Sequence, residues 1–303
     1  MLHFHLLREL RRSLVSTTAL SACLFTLSCH GQSSTQSQAA SAHIDSTTLR
    51  GDTLELVFAG DIMTHGPQIR AAAQADGSYD FSQSFSLVRP TIEHADLAIG
   101  NLETTFGGRP YSGYPMFSSP EALAVALREA GFDVLTTSNN HSCDRRGYGI
   151  THTIDVLDSL GIATTGSYRN LSERPTRTPL IQSVRGIKLA ILAYTYGTNG
   201  LPIPHPTVVD TISKELIAAD LRRADSLGAE YKIVQIHWGN EYEKSPNRAQ
   251  RELAQWLADQ GVDAVIGSHP HVVQESTRLQ RQDTLRGETF VIYSMGNFIS
   301  NQI

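Results

Sequence analysis

Residues 231–271 read YKIVQIHWGNEYEKSPNRAQRELAQWLADQGVDAVIGSHPH. The stretch opens with an apolar, β-rich run that reaches His237, and a second such run, VDAVIGS, fills residues 262–268. Between them, SPNRAQRELAQWLADQG places apolar residues at helical intervals, starts at Ser245-Pro246 and stops at Gly261. Strand, helix, strand is the repeating unit of an α/β fold around a mainly parallel sheet. The strand bodies are apolar, but the residues at their carboxyl ends are not: His237 ends the first, and His269 and His271 follow the second. Residues two apart at a strand end face the same side, so His-Pro-His aims two imidazoles at one point. A pair of histidines is weak evidence for a metal by itself, and the other strand ends must decide.

The same alternation runs through most of the chain. LELVFAGDI (residues 54–62), ADLAIGN (95–101), FDVLTTS (132–138) and IATTG (162–166) read as strands. SSPEALAVALREAG (118–131) reads as a helix with a serine cap, a proline at the first helical position and a closing glycine. YGITHTIDVLDSLG (148–161) and TISKELIAADLRRADSLG (211–228) are further helices, and TPLIQSVRGIKLAILAYT (178–195) forms two strands around Arg185-Gly186. Antiparallel signals there and in residues 277–299 predict an edge or a second sheet.

Ligands of open α/β sheets bind outside the carboxyl ends of the strands. Read in order, those ends supply Asp61, then Asn101 and Glu103, then Asn139, Asn140 and His141, then His237, then His269 and His271. Each has a bland explanation, as a turn, a loop amide or a packed histidine. Their joint occurrence at one end of one fold does not. Mixed Asp, Glu, Asn and His donors suit borderline divalent ions such as Mn, Fe or Zn, and a shared carboxylate can bridge two of them.

Composition bounds the partners. The chain has 303 residues, 40% hydrophobic and 18% charged, enough to build one large core. Its formal charge of −5 argues against nucleic acid, which needs a basic face. The N-terminus resembles a bacterial lipoprotein leader: basic LRELRR, then SLVSTTALSACLFTLS, with Cys23 and Cys29 each in a lipobox-like setting. Cys29 is favoured for acylation because the Ser/Gln-rich HGQSSTQSQAASAH begins there and reads as a tether. The expected layout is a signal peptide over residues 1–28, a tether over 29–50 and one domain over 51–303. That layout predicts export and a lipid anchor in the membrane. Cys143 is then left without a disulfide partner; it reads either as a small loop filler or as a reactive thiol. Arg145 and Arg146 could receive an anionic substrate or simply be solvated, and HGPQ and SGYPMFSSP could line a groove or form rigid surface loops.

The ordered blocks GD, GNLE, NNH, H and HPH resemble the metallophosphoesterase (calcineurin-like) superfamily. FAGDIM, ADLAIGNLET, SNNHSCDRRGYGITHTIDVLDSLGI and VIYSMGNFISNQ, together with the opening stretch, are similar to the CapA/PgsA family of capsule and poly-γ-glutamate synthesis proteins over roughly residues 54–303. The resemblance implies a four-layer αββα sandwich with two divalent metals at the strand ends. It implies Asp61 and His271 on the first metal, Asn140, His237 and His269 on the second, and Glu103 bridging where the wider superfamily has Asp. It also implies His141 as general acid, in metal-assisted hydrolysis or transfer on an anionic polymer or its carrier; imidazole ordinarily titrates near neutrality and suits that task. Met63 stands where the superfamily's Asp-x-His block has its histidine, and His65 lies two residues further on. That departure leaves a rival reading, a non-catalytic component that binds or guides the polymer. The chain is also expected to stop short of the family's usual C-terminus.

Overall fold

The computed structural model describes residues 2–7, 53–282 and 287–302. The predicted leader beyond residue 7, the tether, Cys23 and Cys29 lie outside them. In chain order the strands are β1 (Leu2–Leu7), β2 (Thr53–Ile62), β3 (Leu97–Leu102), β4 (Val134–Thr136), β5 (Ala163–Thr165), β6 (Ser167–Tyr168), β7 (Leu180–Val184), β8 (Ile187–Thr195), β9 (Val208–Val209), β10 (Tyr231–His237), β11 (Ala264–Ser268), β12 (Ser276–Gln280), β13 (Glu288–Ile292) and β14 (Asn297–Ile299). They form one six-stranded sheet, β1-β2-β3-β4-β5 with β14 also on β2, and a second, β12-β13-β11-β10-β8-β7. β6 and β9 make a small antiparallel pair.

The second, mixed sheet is the one that the antiparallel signals predicted. β8, β10, β11 and β13 run parallel, while β7 and β12 flank them antiparallel. β7 turns into β8 through Arg185 and Gly186, both at positive φ, where only the glycine is free of strain. Helices Lys214–Ser226 and Arg248–Asp259 cover this sheet, burying Ile217, Leu221, Ala254 and Leu257 against Leu192, Val234, Ile236 and Val265. Helices Ala122–Glu129 and Arg146–Ser159 do the same for the first sheet, with Leu123, Leu127 and Leu157 on Ala98, Leu102 and Leu135.

Strand residues of opposite parity, among them Val57, Ile99, Val134, Ile191, Ile233 and Ile266, are also buried, at 0–2% exposure. Each sheet is therefore covered on both faces, as near-continuous apolar strands require. The Thr136 hydroxyl donates to Gln235 Oε1 at 2.9 Å, joining the sheets between their inner faces. The layers run helix, sheet, sheet, helix: the αββα sandwich that the sequence implied.

Two details differ from expectation. Ser119 does not cap its helix; the first-turn neighbour Glu121 holds that position without a side-chain bond, and the Ser119 hydroxyl instead bonds Thr104 at 2.7 Å and Thr64. The other helix begins at Arg248 rather than at Ser245-Pro246. Asn247 caps it through the amide of Gln250 at 3.0 Å, and Gln250 reciprocates at 2.9 Å. In the second case a better-placed polar side chain took the role; in the first no side chain did.

Candidate metal centre

Register places the site. In the first sheet, Asn297, Asp61, Asn101 and Thr136 sit side by side on β14, β2, β3 and β4. In the second, Thr195, His237 and Ser268 do so on β8, β10 and β11. The parallel strands end together, so their terminal side chains and the loops beyond them meet between the two sheets.

Asp61, Glu103, Asn140, His237, His269 and His271 come together there, all buried. Asp61 Oδ2 lies 3.1 Å from His271 Nδ1 and accepts the His269 N–H at 3.3 Å. Asn140 Oδ1 is 2.9 Å from His237 Nε2, and Glu103 Oε1 is 3.4 Å from that same nitrogen and 3.8 Å from His271 Nε2. Two overlapping groups could each hold a cation, Glu103 with His269 and His271, and Asp61 with Glu103 and His237, their donor atoms within 4.8 Å of one another. Glu103 belongs to both.

The electrostatics fit a cation. Both Glu103 oxygens are buried without a hydrogen bond, as is His269 Nδ1. A buried, unpaired carboxylate is costly unless something positive meets it. Burial, then the charge of Asp61, pushes the Glu103 carboxyl well above the usual range. Burial, then the neighbouring imidazoles, pushes His237 well below the usual histidine value and His269 down to about 4, so both rings are neutral donors near pH 7. Burial would lower His271 too, but its contact with Asp61 outweighs that and raises it. His269 and His271 both hold positive φ, at 94° and 60°. Non-glycine residues rarely adopt that region, and it is characteristic of functional positions over-determined by their surroundings.

The remaining site residues sort by contact. His141 is buried; its Nδ1 is 2.7 Å from Asp144 Oδ2, which also accepts the Phe117 N–H at 2.7 Å, and its ring meets Phe117 edge-on at 4.6 Å. Asn101 donates to Asp61 Oδ1 at 2.8 Å, Ser268 Oγ holds His237 Nδ1 at 2.9 Å, and Asn297 Oδ1 lies 3.0 Å from His271 Nδ1. These are outer partners that fix donor orientation. Asp144, Ser268 and Asn297 escaped the reading of the sequence, although Asp144 stands three residues after His141 and Asn297 lies in the quoted GNF block. Asn139 is not a donor: its amide donates to the Leu102 carbonyl at 2.7 Å and its oxygen accepts the His141 N–H at 3.1 Å, clamping the loop.

Met63 is buried in the core, and its N–H donates to the Ile299 carbonyl at 2.8 Å. His65 belongs to neither donor group; its Nδ1 accepts the Asn301 N–H at 3.2 Å and its ring packs edge-on against Phe117. Cys143 packs with Ile150, Ile154 and Val209, and burial pushes its thiol up to about 11, so it is a filler. Arg146 is exposed and Arg145 half-buried. SGYPMFSSP contributes Phe117 to the wall beside His141.

The model of the bacterial capsule synthesis protein PGA_cap family matches residues 55–302. The chain belongs to this family. Among PGA_cap relatives, the capsule biosynthesis protein CapA of Bacillus anthracis is 28% identical over 83% of the chain and 61% of its own length. The PGA biosynthesis protein CapA of Bacillus subtilis is 28% identical over 84% of the chain and 65% of its own length. The chain thus spans somewhat under two thirds of both. A probable polyglutamine synthesis accessory protein of Mycobacterium tuberculosis is 23% identical over 67% of the chain. Solved structures with some likeness include Haemophilus influenzae NAD nucleotidase, at TM-score 0.47 and 15% identity over 71% of the chain and 43% of that protein. Among the described residues, no helix is long and apolar enough to cross a membrane.

Proposed function

We propose that this PGA_cap protein uses a divalent metal centre for metal-assisted hydrolysis or transfer on an anionic polymer of the cell surface, poly-γ-glutamate or capsule polysaccharide, or on its carrier. The observation that carries this reading is Glu103, buried among neutral imidazoles with both oxygens unpaired. Asp61, Glu103, Asn140, His237, His269 and His271 would hold two ions of the Mn, Fe or Zn type, Glu103 being common to both donor groups. Such a centre supplies Lewis-acid polarisation of a phosphoryl or carbonyl oxygen. His141 is the proton donor to the leaving oxygen. Asp144 accepts from its Nδ1, which fixes the tautomer and leaves Nε2 for the substrate. Phe117 keeps the ring in one orientation and excludes water from that side. Relatives named for capsule and PGA biosynthesis support the polymer.

A second reading, a non-catalytic binding or export component, is favoured by one observation. The core-buried Met63 takes the place of a histidine donor, and His65 is turned to Asn301.

Loaded with Mn²⁺ and assayed on bis(4-nitrophenyl) phosphate, His141→Ala is expected to keep its metal and lose about 10²–10⁴-fold in turnover. His237→Ala is expected to lose metal and turnover together. Wild-type turnover in His141→Ala at full metal content would defeat the catalytic reading and leave the binding role. We further propose that the protein is exported and anchored through acylated Cys29. Cys29→Ser should then move it from the membrane to the soluble fraction, and unchanged association would reject that anchor.

A further inference from the structure

Two exposed tyrosines stand at the mouth of the metal centre, and both are held from beneath. Tyr196 follows β8; its N–H donates to the His237 carbonyl at 2.9 Å and its hydroxyl to Asn199 Oδ1 at 3.4 Å. The same Asn199 oxygen accepts from Asn140 Nδ2 at 3.2 Å. The Tyr196 ring lies 7° from parallel to His237 and 4.6 Å from His269, yet the residue is 47% exposed. Tyr242 is 56% exposed, and its ring centroid lies 6.1 Å from that of His271. Its N–H donates at 2.8 Å to the carbonyl of Pro270, the residue between His269 and His271.

The loop bearing Tyr242 is built rather than incidental. Tyr242 itself holds a φ of 63°, a conformation that a tyrosine keeps only under external constraint. Buried Gln250 donates to Gln274 Oε1 at 3.0 Å, and Gln274 donates to the Glu243 carbonyl at 2.8 Å. Gly239, at φ 90°, passes so close to Gln250 that a Cβ would come within 2.8 Å of its amide. Two buried amides and a glycine thus fix the position of Glu241 and Tyr242. Burial, then the charge of Glu241, raises both the Tyr196 and the Tyr242 hydroxyl above the usual range, which puts the Glu241 carboxylate beside the two rings.

We propose that Tyr196 and Tyr242 are specificity-determining residues that hold a sugar ring beside the metal centre, so that the substrate is a phosphate-bearing saccharide rather than a chain of glutamates. The inference rests on the reading of the centre as the place that receives the substrate's anionic group. The C–H faces of a pyranose stack on aromatic rings, and its hydroxyls can donate to the Glu241 carboxylate. A poly-γ-glutamate chain would bring further carboxylates to a rim that already carries Glu241.

The test measures dissociation constants by saturation-transfer NMR on the full chain loaded with diamagnetic Zn²⁺, for glucose 1-phosphate, ethyl phosphate and tri-γ-glutamate. Glucose 1-phosphate is expected to bind more tightly than either. Tyr196→Ala and Tyr242→Ala should each weaken it about tenfold, while their affinity for ethyl phosphate stays put. The Phe variants should keep wild-type affinity. Unchanged affinity for glucose 1-phosphate in both Ala variants, tighter binding of tri-γ-glutamate, or no sugar-phosphate binding at all would overturn the proposal. Binding as expected without any hydrolysis would support it and reject only the catalytic reading.

Discussion

Asp144 is a test of what His141 does. A histidine whose Nδ1 sits 2.7 Å from a buried carboxylate is held in one tautomer with its other nitrogen presented outward. Asp144→Asn keeps the shape and can still accept the Phe117 N–H, but removes the charge facing the imidazole. Turnover is expected to fall about 10²-fold with metal content unchanged, read as kcat on bis(4-nitrophenyl) phosphate beside metal analysis; undiminished kcat would dissolve the pair. Which seven residues to assign roles came from the family resemblance; that the strand ends would meet at one site was legible because polar, metal-ligating groups stood out at the ends of otherwise apolar strands. Asp144 was not, since a carboxylate beside Arg145 and Arg146 reads as solvated loop until the turn of residues 141–144 folds it back onto the imidazole. Asn139, which the sequence placed at a strand end without a role, shows the opposite case. Its side-chain type suits a ligand, but the Leu102 carbonyl of the neighbouring strand and the His141 N–H of its own loop claimed the two ends of its amide.

At the scale of elements, the segment Tyr293–Gly296 stitches the two sheets together at the site. The Met295 N–H donates to the Gly267 carbonyl at 2.9 Å, and the Gly296 carbonyl accepts from the Asp61 N–H at 3.0 Å. Close approach demands the glycines that precede the ligand ends. A Cβ on Gly60 would sit 1.9 Å from the Gly296 oxygen, and one on Gly267 would sit 2.0 Å from the Tyr293 oxygen. Backbone cannot yield as a flexible side chain does, so Gly60→Ala and Gly267→Ala should each destabilise by about 3 kcal/mol, measured from urea midpoints. Gly197→Ala, where nothing lies within 4 Å of the new Cβ, should stay within about 0.5 kcal/mol of wild type. Equal midpoints for all three would refute the stitch. The sequence showed the AGD and GSHPH blocks but not the reason for their glycines, because the partner is a strand end more than two hundred residues away from Gly60. Periodicity and capping patterns are local. They placed the helix Lys214–Ser226 well, started Arg248–Asp259 too early at Ser245-Pro246, and left the return of β14 onto β2 unread.

For the whole molecule, the metal centre couples chemistry to folding, since its donors come from both sheets and meet only in the folded chain. A metal at about a hundredfold over its dissociation constant adds about 2.7 kcal/mol, which for a domain of this size raises Tm by about 5–10 °C. Chelation should remove that gain, and pH should change its size in a defined direction. His269 has a folded pKa of about 4, so between about 4 and 6.5 the unfolded chain binds the extra proton and stability is lost as pH falls through that window; His237, also lowered, acts in the same direction as pH falls below about 6.5. That loss strikes the metal-loaded and stripped proteins alike, because it arises in their common unfolded state. Glu103 does not strike them alike. Its folded pKa is raised, so the stripped protein keeps a proton there in acid and loses the associated stability as pH rises through that folded pKa. A cation takes the place of that proton. Acid therefore competes with the metal at Glu103 and at His271, both raised, while His237 and His269 are already neutral and offer little competition. The Tm difference between metal-loaded and chelated protein should be wider at pH 7.5 than at pH 5.5. In Glu103→Gln, which cannot titrate, the stripped protein should no longer lose stability between those two pH values on this account. A Tm difference independent of pH in the wild type, or one that widens in acid, would remove Glu103 from the centre of the site.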